Sequence, residues 1–144
     1  MKLSLHARTL PGRIVTGAYI LHAGLEKWSG DADRAAGIHG MAAGAYPVLK
    51  DVPPSIFLKA LSASEVATGA LLLSPFVSNA AAGAALTGFS GGLLGMYWRT
   101  DALHKPGSVW PSQAGIAVSK DVWMFGIGVG LLLDSLTSWR RKKP

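Results

Sequence analysis

Residues 80–98 read AAAGAALTGFSGGLLGMYW, a run without a single charge. A water-soluble helix of this length carries a charged outer face, and this one has none. A helix rises ~1.5 Å per residue, so about 20 such residues cross the ~30 Å hydrocarbon core of a bilayer. Three further segments share its character. Residues 9–28 hold the apolar core IVTGAYILHAGL. Residues 55–74 follow Pro53-Pro54 and stop at Pro75, which suits a proline-led helix start and a sharp stop. Residues 118–139 close the set. Residues 37–49 are apolar but too short to span, which predicts an interfacial or re-entrant segment. The expected fold is an all-α membrane protein in one domain over 1–144. It is a four-transmembrane-helix bundle with that short segment between its first and second spans.

The composition agrees. Apolar residues make up 49% of the 144 positions and charged residues 15%, against about 25% charged in an ordinary soluble domain. Mean hydropathy is +0.31. There are 18 glycines and no cysteine, which excludes a disulfide-stapled secreted domain. A disordered chain would need low hydrophobicity and high charge. The net charge of +6 sits at the ends: Lys2, Arg8 and Arg13 early, Arg140, Arg141, Lys142 and Lys143 late. No basic stripe alternates with aromatics, so no nucleic-acid partner is expected. Basic flanks beside apolar segments read instead as topology signals and contacts to anionic lipid headgroups.

Arg13 and His22 interrupt the first segment and no A-x-A pattern follows it, so it reads as an uncleaved span rather than a signal peptide. Four spans put both termini on one side. Lys and Arg number seven on that side and seven on the other. The short terminal clusters decide for both termini cytoplasmic, by the positive-inside rule. Trp28, Trp98, Trp110 and Trp123 then mark the outer interface and Trp139 the inner one.

Lipid tails give helices little hydrophobic reason to associate, so close packing of small residues must hold them. The third span carries two small-residue ladders: Ala80, Ala84, Gly88 and Gly92; and Gly83, Thr87, Gly91 and Gly95. The fourth offers Gly126 and Gly130. These serve packing within the bundle, or a homo-oligomer or partner face.

Charges at membrane depth need a partner, water or a function. Glu65 lies near the middle of the second span, with Ser62, Thr68 and Gly69 on its side. It is either a structural acid or a proton-relay or ligand-binding acid. A basic group from another helix, Lys27 or Lys120, is expected beside it. Glu26, Lys27, His22, Lys120 and Asp121 complete a candidate polar pocket at the outer end, and Arg13 with Asp134 a candidate ion pair at the inner end. No metal site is expected.

The combination resembles the DoxX family of small four-helix bacterial membrane proteins. It rests on an arginine opening the first helix, GAYILHAGLEKW closing it, SEVATGALLL in the second, a Gly-rich third and AVSKDVWMFGIGVGLLL in the fourth. The resemblance covers roughly Arg8 to Leu136. It implies a plasma-membrane protein, some relatives being subunits of a thiosulfate:quinone oxidoreductase and others parts of thiol- and oxidative-stress complexes. The implied role is a membrane subunit or accessory of an oxidoreductase rather than a stand-alone enzyme. The implied partners are membrane lipid and a protein partner, and a quinone is the candidate cofactor. Without cysteine, these residues perform no dithiol chemistry. The alternatives are a small-solute or proton-coupled transporter and a non-catalytic scaffold.

Overall fold

The computed structural model describes residues 7–140, and among these the chain is all-helical. Lys2, Arg141, Lys142 and Lys143 lie outside the described residues. Helix α1 is Leu10–Trp28, α2 Ala32–Ala45, α3 Pro54–Leu73, α4 Asn79–Arg99, α5 Ile116–Ser119 and α6 Asp121–Arg140. Their starts follow local chemistry. The Asp31 carboxylate accepts the Arg34 N–H and Ser78 Oγ accepts the Ala81 N–H, capping α2 and α4. Prolines open α1 and α3, where a missing N–H costs nothing.

Segments 9–28, 55–74 and 80–98 appear as α1, α3 and α4 with ends shifted by no more than a residue or so. Segment 118–139 is broken at Lys120, which separates α5 from α6. The apolar segment 37–49 is part of a longer element, because the Asp31 cap starts the helix earlier and a 3₁₀ turn, Pro47–Leu49, finishes it. Two stretches, Pro54–Leu73 and Ile116–Trp139, are long and apolar enough to cross a membrane.

Two antiparallel pairs dominate the packing: α1 with α3, and α4 with α6. Each pair closes on small residues. A Cβ added at Gly24 would come within 2.9 Å of the Glu65 Cβ, and one at Gly69 within 2.7 Å of the Leu21 nitrogen. Ser62 Oγ donates to the Gly24 carbonyl at 2.6 Å across the same seam. In the second pair a Cβ at Gly83 would meet the Gly128 carbonyl at 2.8 Å. By contrast Gly88, Gly92, Gly126 and Gly130 face open space, Gly91 only touches Phe125, and Gly95 lies under the Tyr46 ring. The packing contacts expected at Gly88, Gly92, Gly126 and Gly130 are therefore made at Gly83, Gly128, Gly17, Gly24 and Gly69.

The pairs meet at an apolar layer of Ile20, Leu72, Ala82, Leu86 and Leu131. Polar groups lie inside as well: Arg13, Ser62, Glu65, Asn79, Ser90 and Asp134 are all buried. Outside, Val15 is 70% exposed, Trp123 69%, Leu136 59% and Ile14 53%.

Candidate functional site

Below the apolar layer, at the α1 N-terminal end, Arg13 is fully buried and all five of its N–H donors are spent. Nε donates to the Leu72 carbonyl at 2.8 Å. One terminal nitrogen donates to Val77 O at 3.0 Å and Asn79 Oδ1 at 2.8 Å. The other donates to Leu71 O at 3.0 Å and Ser74 O at 2.9 Å. The guanidinium thus answers two carbonyls of the last turn of α3, Leu71 and Leu72, at the negative end of its dipole, and two of the turn that follows, Ser74 and Val77. Asn79 Nδ2 carries the network to Asp134 Oδ2 at 2.9 Å, and Arg8 pairs with Asp134. Arg13 and Asp134 are thus linked through Asn79, and the ion pair expected of Arg13 comes from Arg8.

Above the layer the two helix pairs part around a cavity of about 610 Å³. Its wall is mostly apolar, from Ile20, Phe57, Leu61, Phe89, Leu93 and Met124. Helix α2 covers it and is pinned on both sides. His39 Nε2 bonds the Leu49 carbonyl at 2.9 Å while its ring meets Phe57 edge-on. Tyr46 donates to Gly92 O at 2.7 Å. Tyr19 belongs to the lining and is 74% exposed, so the cavity reaches the lateral surface of α1.

The polar end of this cavity is small. Lys27 Nζ lies 3.0 Å from Glu65 Oε1, supplying the basic partner from another helix, and also reaches the Ala23 carbonyl at 3.5 Å. Glu65 Oε2 is buried without a hydrogen-bond partner. Asp121 lines the same cavity, close enough to interact electrostatically with both Glu65 and Lys27. Its position at the first turn of α6 is what the break at Lys120 produces.

Three residues expected at this pocket lie elsewhere. Lys120 is exposed and lines a second groove, about 480 Å³, with Trp98, Trp110 and Trp123. Glu26 is on the outside, 3.8 Å from Arg34. His22 is exposed as well. Tyr19, His22 and Glu26 do share one sector of α1, and that sector points away from the bundle axis. Trp28 sits near the same end, with the Lys59 ammonium 4.6 Å over its ring. Among the described residues no cluster of three or more His, Asp or Glu could hold a metal ion.

The arrangement offers what small-molecule sites commonly have, an apolar chamber with a few convergent polar groups. Comparison with family models, with curated proteins and with solved structures finds no match for this chain.

Proposed function

We propose that the chain is a four-span integral membrane protein, with α1, α3, α4 and α6 as the spans and α2 lying between them at the outer end. The inverted exposure pattern supports this reading. Water would penalise an outer face bearing Ile14, Val15, Leu133 and Leu136 around an interior bearing Arg13, Asn79 and Asp134. Lipid reverses both penalties, provided the interior groups are paired. At 19 and 21 residues, α1 and α4 have the necessary length. Their hydropathy is lowered by Arg13, Glu26 and Lys27 in one and by glycine and alanine in the other. In this reading both termini are cytoplasmic and the membrane is a bacterial plasma membrane. With no native cysteine, single introduced cysteines report sidedness without background. Labelling from outside is expected at residue 107, and none at residue 8.

Within that frame we infer a subunit or accessory of an oxidoreductase that holds a lipid-soluble ligand, a quinone by the DoxX resemblance. One observation carries the ligand reading: the apolar cavity between the helix pairs ends on Lys27, Glu65 and Asp121. A quinone fits this chamber by size and by its combination of ring, apolar tail and polar edge. When bound, it supplies the electron-carrying chemistry. The chain's own residues give it an apolar bed and fix its polar edge.

The transporter alternative rests on Glu65 and His22 as interior groups. The exposed position of His22 and the Lys27 partner of Glu65 leave less to support it. Purification in mild detergent, followed by lipid extraction and mass spectrometry, tests the proposal. A quinone or similar lipophile and a redox partner are expected with the native protein. The ligand is expected to be lost from Leu61→Trp, which fills the cavity. Isolation at native expression with neither ligand nor partner would contradict it.

A further inference from the structure

The cavity's polar end has an uneven balance of hydrogen-bond donors and acceptors. Ser64 Oγ donates to the Leu61 carbonyl at 2.7 Å and Tyr46 donates to Gly92 O. Lys27 gives two of its three donors to Glu65 and the Ala23 carbonyl. What remains is mainly acceptor. Glu65 is 8% exposed at its side chain and its Oε2 has no partner. The Asp121 carboxylate lines the same space, and its interactions with Glu65 and Lys27 are through space rather than through a hydrogen bond. Ionised carboxylates can only accept. A buried acceptor left without a donor costs more than the bond itself would contribute. A hydrogen-bond donor carried by an occupant of the cavity would complete Glu65 Oε2.

Two features narrow that group. Lys27 already pairs with Glu65 and the rest of the wall is apolar, so an entering cation would give up its hydration against Asp121 alone, a cost that a neutral donor avoids. The wall bears Phe57, Phe89, Tyr19, Met41, Met96 and Met124, side chains whose faces and sulfurs suit a flat ring.

We propose that this cavity selects a neutral, lipid-soluble ring bearing a hydroxyl donor, a phenol or hydroquinone, with Glu65 Oε2 as the acceptor of that hydroxyl. The proposal rests on the reading of the cavity as a ligand site and adds the chemistry of the ligand's head. For a quinone-type ligand it predicts preference for the reduced form.

The test uses the full chain in nanodiscs, titrated under anaerobic conditions with a short-tailed alkyl hydroquinone, its dimethyl ether and the matching quinone. The hydroquinone is expected to bind about tenfold or more tightly than the ether or the quinone, the worth of a hydrogen bond to a charged acceptor. Glu65→Gln is expected to bring the ratio close to one, because an amide both donates and accepts. Lys120→Met, in the other groove, is expected to leave the ratio unchanged. Equal binding of all three by the native protein would overturn this inference and leave the ligand site standing. Tighter binding of an alkylammonium with the same tail would overturn it too. Binding of none of the four would overturn the ligand reading itself. The native ratio decides even where Glu65→Gln folds poorly, and Asp121→Asn gives a second variant of the same lining.

Discussion

Helix α1 carries two inward-facing cations about four turns apart, Arg13 fully buried near its start and Lys27 partly buried near its end, and they sit in opposite surroundings. Arg13 is wholly enclosed with every donor used, by carbonyls of Leu71, Leu72, Ser74 and Val77 and by Asn79. Lys27 borders a cavity and holds one oxygen of Glu65, leaving the other without a partner. A satisfied network fixes a structure, whereas an unsatisfied acceptor beside open volume is where the proposed ligand would bind. The first end ties α1, α3, α4 and α6 together. At the second the helix pairs part around the cavity.

This contrast predicts a graded series of mutational effects. Arg13→Ala is expected to cost most, about 3–5 kcal/mol in unfolding from detergent micelles, the usual loss when one member of a buried charged network is removed. Arg13→Lys is expected to recover little of this, since an ammonium has three donors and lacks the planar fork. Gly69→Ala comes next, at about 1–3 kcal/mol, because its Cβ would press on the Leu21 backbone and α1 must move. A thermal-unfolding series would separate these two. Glu65→Gln is expected to be milder, about 1 kcal/mol, since the partly exposed Lys27 can extend its stem towards water. Its main effect belongs in ligand binding. Gly92→Ala and Gly130→Ala are expected to change folding stability by no more than about 0.5 kcal/mol, because both face open space. Loss of a dimer band in either, with folding intact, would sharpen the picture by placing a second copy on that face.

The course of the chain was largely readable. A charge-free run at 80–98 and prolines at 53, 54 and 75 are local signals that locate α3 and α4, whereas the Asp31 cap, which starts α2 ahead of residue 37, went unread. Direction was not readable. Spacing shows that Tyr19, His22 and Glu26 share a sector, or that Gly88 and Gly92 share a ladder. It does not show whether the sector turns inward or outward. In a helix apolar on all sides the usual guide, polar residues outside, fails. Lys120 falls outside the pocket for a different reason: the helix breaks there, α6 begins one residue later, and the lysine lines the second groove. Lys27 and Asp121 were legible because the last turn of α1 and the first turn of α6 fall at the same end of the bundle. The Arg13 network was not, because four of its five acceptors are backbone carbonyls, which no residue type announces. A usable signal was present in the seven-residue spacing of Gly17 with Gly24 and of Ser62 with Gly69, which match across the α1–α3 seam.

The central claim is that the Arg13 end holds the fold and the Glu65 end holds a ligand. The most direct test measures both quantities on two variants: unfolding temperature, and hydroquinone and quinone affinity in nanodiscs. The account predicts that Glu65→Gln unfolds close to the native temperature and loses the preference of about tenfold or more for hydroquinone over quinone, while Arg13→Lys unfolds early and, where still folded, keeps that preference. A Glu65→Gln protein that keeps the preference but unfolds as early as Arg13→Lys would contradict it.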